Sequence, residues 1–182
     1  MVGRSVEDIA RERGVEPAEA VLQLVEEERG TVPTIVHNRV ESDVRTFMGH
    51  PLAAIGSDGR AISPHGLYAD ALPHPRFYGT YPRILGRYVR EQPAVLSLET
   101  AVHKMSGFPA RRLGLRDRGL VEEGLVADLV VFDPETIIDR ATFEEPHQYP
   151  EGITHVLVNG VAVVDQGRHT GARPDRVLRR GA

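Results

Sequence analysis

The chain has 182 residues, 41% of them hydrophobic and 26% charged, with a formal net charge of −4. That length and apolar content suit one full domain, or two incomplete ones, folded around a hydrophobic core. The acidic balance argues against a nucleic-acid partner, the lack of cysteine removes disulfides and thiolate metal sites, and no apolar run approaches the length of a membrane span.

Met1-Val2-Gly3-Arg4-Ser5 lacks the apolar centre of a signal peptide, so the expected setting is cytoplasmic. Two helices follow. Ser5 caps the first, with Asp8 three residues on and Gly14 as the stop; Pro17 opens the second, which ends near Gly30. Ala18, Val21, Leu22 and Val25 recur at helical spacing and predict one face to bury. Thr34-Ile35-Val36 reads as a short β-branched strand. Residues 41–48 read as a helix that ends at His50-Pro51, because a residue before proline resists the α region. Leu52-Ala53-Ala54-Ile55-Gly56 reads as a second buried strand, which would deliver Asp58 to the rim of a sheet. Strand, helix and strand at this spacing predict a βαβ unit with a parallel pair.

Asp58 itself has two readings. Ser57-Asp58-Gly59 is a common turn, with Asp bonding its own backbone and Gly taking positive φ. A carboxylate at the end of a barrel strand is also where such enzymes keep their reacting groups.

Residues 59–78 hold two histidines and three prolines without periodicity and predict a long surface loop. Helical signals resume at Thr80, with Ile84, Leu85, Tyr88 and Val89 on one side, and again after Ser97, where Leu98, Ala101, Val102 and Met105 form an apolar stripe. Pro109 opens a short helix that stops at Gly114. Beyond residue 116 the pattern changes to strands over 127–132, 153–158 and 161–165. Asn159-Gly160 between the last two is a strong hairpin signal. This shift predicts a division into residues 1–115 and 116–182. Arg173, Arg176, Arg179 and Arg180 read as a solvated tail. Two parallel strands cannot close a barrel or make a stable open sheet, so the inventory reads as the back end of something larger.

Ile55-Gly56-Ser57-Asp58-Gly59, then His74-Pro75-Arg76 running into Gly79-Thr80-Tyr81-Pro82-Arg83, carry a resemblance that continues through Met105-Ser106-Gly107-Phe108-Pro109, Gly124 to Pro134, Ala141-Thr142-Phe143 and Val158-Asn159-Gly160. In order and spacing these segments resemble the C-terminal part of the D-aminoacylases, the N-acyl-D-amino-acid deacylases of the metal-dependent amidohydrolase superfamily. The resemblance implies an α/β fold: the C-terminal fragment of a (β/α)₈ amidohydrolase barrel, with residues 34–36 and 52–56 as its last two strands. Antiparallel strands of a small β-sandwich would follow.

It also implies zinc-dependent hydrolysis of the amide bond of N-acyl-D-amino acids. Zinc lowers the pKa of its bound water and acts as a Lewis acid. Asp58, as general base and acid and as a weak metal contact, would take a proton from that water and pass it to the leaving nitrogen. Arg76 and His74 match the family's His-Pro-Arg, and Arg76 could pair with the free carboxylate of the substrate; pinning the long loop is an equally open role for both. His65 sits where the family often has a histidine, as ligand, staple or accident. His37 faces the active rim by position, although an ordinary polar contact is the commoner role for such a residue. The family's remaining ligands, a His-x-His on the first strand, a bridging residue and two more histidines, have no match here, and the chain holds no His-x-His. One carboxylate does not hold zinc tightly, so this chain alone is expected to be inactive.

Two alternatives are weighed beside the deacylase. One is an inactive fragment or interaction module that self-associates or binds a partner through exposed apolar faces. The other is a relative acting on cyclic amides, like the dihydropyrimidinases and dihydroorotases. No nucleic acid and no membrane is expected as a partner.

Overall fold

The computed structural model describes residues 3–32, 34, 36, 38–174 and 176–178. They group into two compact units, Met1–Asn38 and Arg39–Ala182.

In the first unit, α1 (Val6–Arg13) and α2 (Pro17–Glu27) form a helical hairpin. The expected caps are present. Ser5 Oγ accepts the Asp8 amide at 3.1 Å, Gly14 ends α1 in the left-handed region, and Pro17 occupies the first turn of α2. Arg13 ties the two helices together through Glu27 at 2.8 Å. The buried face of α2 is Ala20 and Leu24, facing Ile9 and Ala10 of the same unit, whereas Ala18, Val21, Leu22 and Val25 are exposed. The sequence stripe therefore marks the open side of the hairpin; the turn after Gly14 aims positions 20 and 24 inward instead.

The second unit begins with α3 (Glu41–Gly49). The segment after it runs extended, with Ala53 and Ile55 half-buried and Ala54 and Gly56 exposed. This alternation is the strand signal read from the sequence. No strand forms, however: beyond the turn at Ala53, the segment's backbone bond is Ile55 N–H to Lys104 O at 3.0 Å. Thr34 and Val36 likewise belong to no strand, and Ile35 and His37 lie outside the described residues. The parallel pair expected from residues 34–36 and 52–56 is thus absent among the described residues. An extended segment becomes a parallel strand only where neighbours take its amides and carbonyls and helices cover both faces.

α4 (Arg76–Arg83) starts four residues earlier than expected and passes into a π-helical stretch, Ile84–Arg90, just after Pro82. Proline removes one amide from the helical ladder and crowds the preceding turn, which favours the wider winding that follows. α5 (Leu98–Met105), capped by Ser97, and α6 (Gly107–Leu113), ended by Gly114, complete the helical part.

One antiparallel sheet follows, in the order β1 (Leu129–Phe132), β2 (Ile153–Val158), β3 (Val161–Asp165) and β4 (Arg168–His169). Val158 pairs with Val161 across a two-residue turn in which Asn159 and Gly160 both have positive φ, 49° and 79°. Gln166 and Gly167 repeat this geometry at 47° and 76° and produce β4, which the sequence reading missed because Gln is an uncommon left-handed residue.

The core is built from Met48, Ile84, Leu85, Tyr88, Leu96, Ala101 and Ile137, with Ile55, Phe132 and Ile153 packed on it. Helices and sheet share this core. Asp139, 5% exposed, accepts from Arg83 at 2.8 Å and Arg87 at 3.2 Å, while Arg90 donates to Ile137 O at 2.7 Å. The close approach explains Gly86, where a Cβ would lie 2.3 Å from Ile138 Cδ1 and 2.8 Å from Ile137 O.

Candidate active site

Lys104 fastens the extended segment from below. Its ammonium, on a residue only 4% exposed, donates to His50 O and to Ala53 O at 3.0 Å, while its own carbonyl takes the Ile55 amide. His50 caps the C-terminus of α3, so the charge also faces the negative end of that helix.

Past Gly56 the chain turns against the start of α4. Ser57 Oγ accepts the Gly59 amide and bonds Thr80 Oγ1, both at 3.0 Å, and Thr80 Oγ1 donates to Arg76 O at 3.0 Å. Gly59 fits because a Cβ there would stand 2.9 Å from Arg76 O. These contacts bring Asp58 Oδ1 to 2.7 Å from Arg76 Nε. The Asp58 side chain is 75% exposed and that of Arg76 42%. The expectation that Asp58 stands at the rim of a sheet is corrected: the segment delivering it is extended but unpaired, and its carboxylate faces solvent with Arg76 as its ion-pair partner. A pair this exposed contributes about 0–1 kcal/mol.

His74 lies next to them along the chain. Its Nδ1 accepts the Arg76 amide at 3.0 Å, satisfying one of the orphan donors at the start of α4, and its ring stands edge-on to Phe143 with centroids 5.0 Å apart. His65 is exposed, its amide on Ser63 Oγ at 3.1 Å, and no hydrogen bond or ion pair joins it to Asp58 or Arg76. Among the described residues no group of three or more His, Asp or Glu could hold a metal ion. Asp58 with a single arginine partner does not fit a zinc site.

Sequence reasoning missed two side chains that shape this region. Lys104 had a readable signal, since it lies three residues after the fully buried Ala101 on the inward side of α5. His147 had none, in a proline-containing loop without periodicity. Its Nδ1 is 2.8 Å from Tyr78 Oη and its Nε2 2.9 Å from Ala71 O. Burial, and then Tyr149, push the Tyr78 phenol above its ordinary pKa.

Asp128, Asn159 and Asp133 of the later motifs take part in hydrogen bonds away from this pair. Arg118, its side chain 8% exposed, pairs with Asp117 at 3.2 Å and with Asp128, and Asp128 Oδ1 accepts the Asn159 amide at 2.8 Å. Asp133 accepts the Glu135 amide and the Thr136 hydroxyl, both at 2.9 Å. Arg176 reaches Asp117 at 3.3 Å and so is not simply part of a solvated tail; Arg179 and Arg180 lie outside the described residues.

Compared with known families, residues 1–164 match the model of the amidohydrolase family. The chain belongs to that family. It is 42% identical over 180 residues to the N-acyl-D-aspartate deacylase of Alcaligenes xylosoxydans xylosoxydans, an alignment covering 98% of this chain and 33% of that protein. Among solved structures, a D-aminoacylase mutant in complex with copper chloride superposes with a TM-score of 0.82 at 43% identity, covering 98% of this chain and 35% of that one. The N-acyl-D-glutamate deacylase of Bordetella bronchiseptica, complexed with zinc and a phosphonate that mimics the tetrahedral intermediate, gives 0.73 at 40% identity, covering 92% of this chain and 33% of that one. This amidohydrolase chain spans about a third of the length of the curated relatives it matches. No helix among its described residues is long and apolar enough to cross a membrane.

Proposed function

We propose that the chain is the C-terminal part of an N-acyl-D-amino-acid deacylase, contributing Asp58 and Arg76 to hydrolysis of a linear amide. The observation that carries this reading is the Asp58–Arg76 pair at 2.7 Å, in a chain whose relatives bear deacylase names. In the proposal residues 1–115 belong to a barrel completed by chain outside this sequence, and residues 116–182 belong to a smaller sandwich domain. A zinc for this reaction would need ligands beyond these residues, since no group of three or more His, Asp or Glu among the described residues could hold a metal ion.

Asp58 and Arg76 divide the work by charge. The carboxylate accepts the proton of the attacking water and returns one to the departing nitrogen, which otherwise leaves as a poor anion. The guanidinium carries five donors in a planar fork and binds the free carboxylate of the substrate. In the substrate-free state Asp58 occupies part of that fork; a bound N-acyl amino acid displaces it and leaves the base open toward the scissile amide. His74 sets the direction of Arg76 through its backbone amide, and His65 lines the approach of the substrate.

The test reads the DNA upstream of Met1 and assays the product of the full reading frame on N-acetyl-D- and N-acetyl-L-amino acids, with metal analysis. An in-frame His-x-His with hydrolysis of D substrates is expected, Asp58→Asn lowering kcat by 10²–10⁴-fold. Full activity in that variant refutes the role of Asp58. A second reading, association of two copies, is favoured by the exposure of Phe47 and Leu52, at 70% and 79%. Size-exclusion chromatography of the 182-residue chain decides it: a monomer at all concentrations removes this reading.

A further inference from the structure

We propose that His147 is a positioning residue for Arg76, cross-bracing the two ends of the segment that carries it. The imidazole reaches Ala71 O with one ring nitrogen at 2.9 Å and Tyr78 Oη with the other at 2.8 Å. Ala71 precedes and Tyr78 follows residues 72–77, so a single side chain closes the base of the loop that presents His74 and Arg76. A carbonyl oxygen only accepts, which places the ring proton on Nε2 and leaves Nδ1 to accept the Tyr78 hydroxyl.

Neighbouring side chains from the same stretch act in the same direction. Phe143 stands edge-on to His74 at 5.0 Å, and Tyr149 edge-on to Tyr78 at 5.5 Å. The stretch is closed on itself: the Thr142 amide donates to Glu145 O at 3.1 Å, the Glu145 amide to Thr142 Oγ1 at 2.9 Å and Gln148 Nε2 to Glu145 O at 2.8 Å. A short turn held by three of its own hydrogen bonds is a stiff anchor. Positions 71, 74 and 78 are thereby gripped on both sides of Arg76, whereas the ion pair to Asp58 is open to water and too weak to fix the guanidinium alone.

The functional consequence rests on the carboxylate-binding role proposed for Arg76; the brace does not. The test uses the 182-residue chain with amide exchange, histidine ¹⁵N spectra and titration with N-acetyl-D-glutamate followed by calorimetry. In the unaltered protein His147 is expected as the Nε2–H tautomer, and an Nδ1–H tautomer overturns the brace without any substitution. His147→Phe is expected to speed exchange of the Arg76 and Phe77 amides about tenfold and to weaken the titration in step. His147→Gln, which keeps a donor for Ala71 O, should cost about threefold or less. Exchange in His147→Phe within twofold of the unaltered protein refutes the proposal, as does faster exchange with unchanged affinity. Arg76→Met separates the two ideas: if it leaves affinity untouched, the carboxylate role of Arg76 fails, and the exchange and tautomer results decide the brace by themselves.

Discussion

Replacing Asp139 by alanine removes the charge that joins the helices to the sheet side of the second unit. The carboxylate is 4% exposed and accepts from Arg83 at 2.8 Å and Arg87 at 3.2 Å, and these two arginine side chains are themselves 45% and 44% exposed. Hydrogen bonds to charged groups contribute about 1.5–3 kcal/mol each when desolvated. Because water can take over the arginines once the carboxylate is gone, the loss stays below the 3–5 kcal/mol typical of a broken pair that leaves a buried charge behind. Halving each bond for this screening gives about 1.5–3 kcal/mol in total, or roughly 3–12 °C in Tm for a domain of this size. Urea denaturation followed by far-UV circular dichroism measures it. Asp139→Asn, which keeps one acceptor oxygen but no charge, should lose about half as much. A double-mutant cycle with Arg83→Ala should return a coupling near 1 kcal/mol. A loss under about 0.5 kcal/mol for Asp139→Ala, or no coupling to Arg83, would show that the lock contributes nothing and that apolar packing alone joins the two parts.

Lys104→Met keeps the volume but strands His50 O and Ala53 O; a loss of about 2 kcal/mol and faster exchange at the Ile55 amide are expected, and an unchanged Ile55 amide would contradict the clamp. Gly86→Ala forces a methyl against Ile138 Cδ1 and Ile137 O and should destabilise by about 1–3 kcal/mol, whereas Gly56→Ala, with nothing within 4 Å, should be near neutral in the same melt. On the acid side, hydrogen bonds from Arg118 and Arg140 hold the carboxyls of Asp117 and Glu151 below their ordinary 3.8 and 4.5. Their contribution is therefore present above those values and lost as pH falls through the folded pKa. On the alkaline side, burial raises Tyr78 and Tyr88 above 10.0, so their contribution is present below pH 10 and lost as pH rises through the folded values. Urea midpoints should thus be flat between about pH 5 and 9.5 and fall on either side; a midpoint that rises above pH 10 contradicts the burial of the two phenols.

What the sequence determines by itself is local. Ser5, Gly14, Pro17, Ser97 and Gly114 set helix ends because capping and left-handed φ depend on the residue and its nearest neighbours. Asn159-Gly160 sets a hairpin for the same reason, and Ala53 and Ile55 reveal an extended segment by alternation alone. The pair at the candidate site was half legible: Asp58 and Arg76 stood out by motif, but their contact at 2.7 Å depends on Ser57 and Thr80 meeting across 23 residues. Tertiary structure alone decided the rest. Whether 53–56 becomes a strand depends on partners the segment cannot encode, and which face of α2 is buried depends on where α1 lies. The roles of Lys104 and His147 depend on carbonyls 51 and 76 residues away. Hydrogen bonds and burial over such separations follow from the packed core, because only there are distant backbone groups deprived of water and obliged to find a side chain instead.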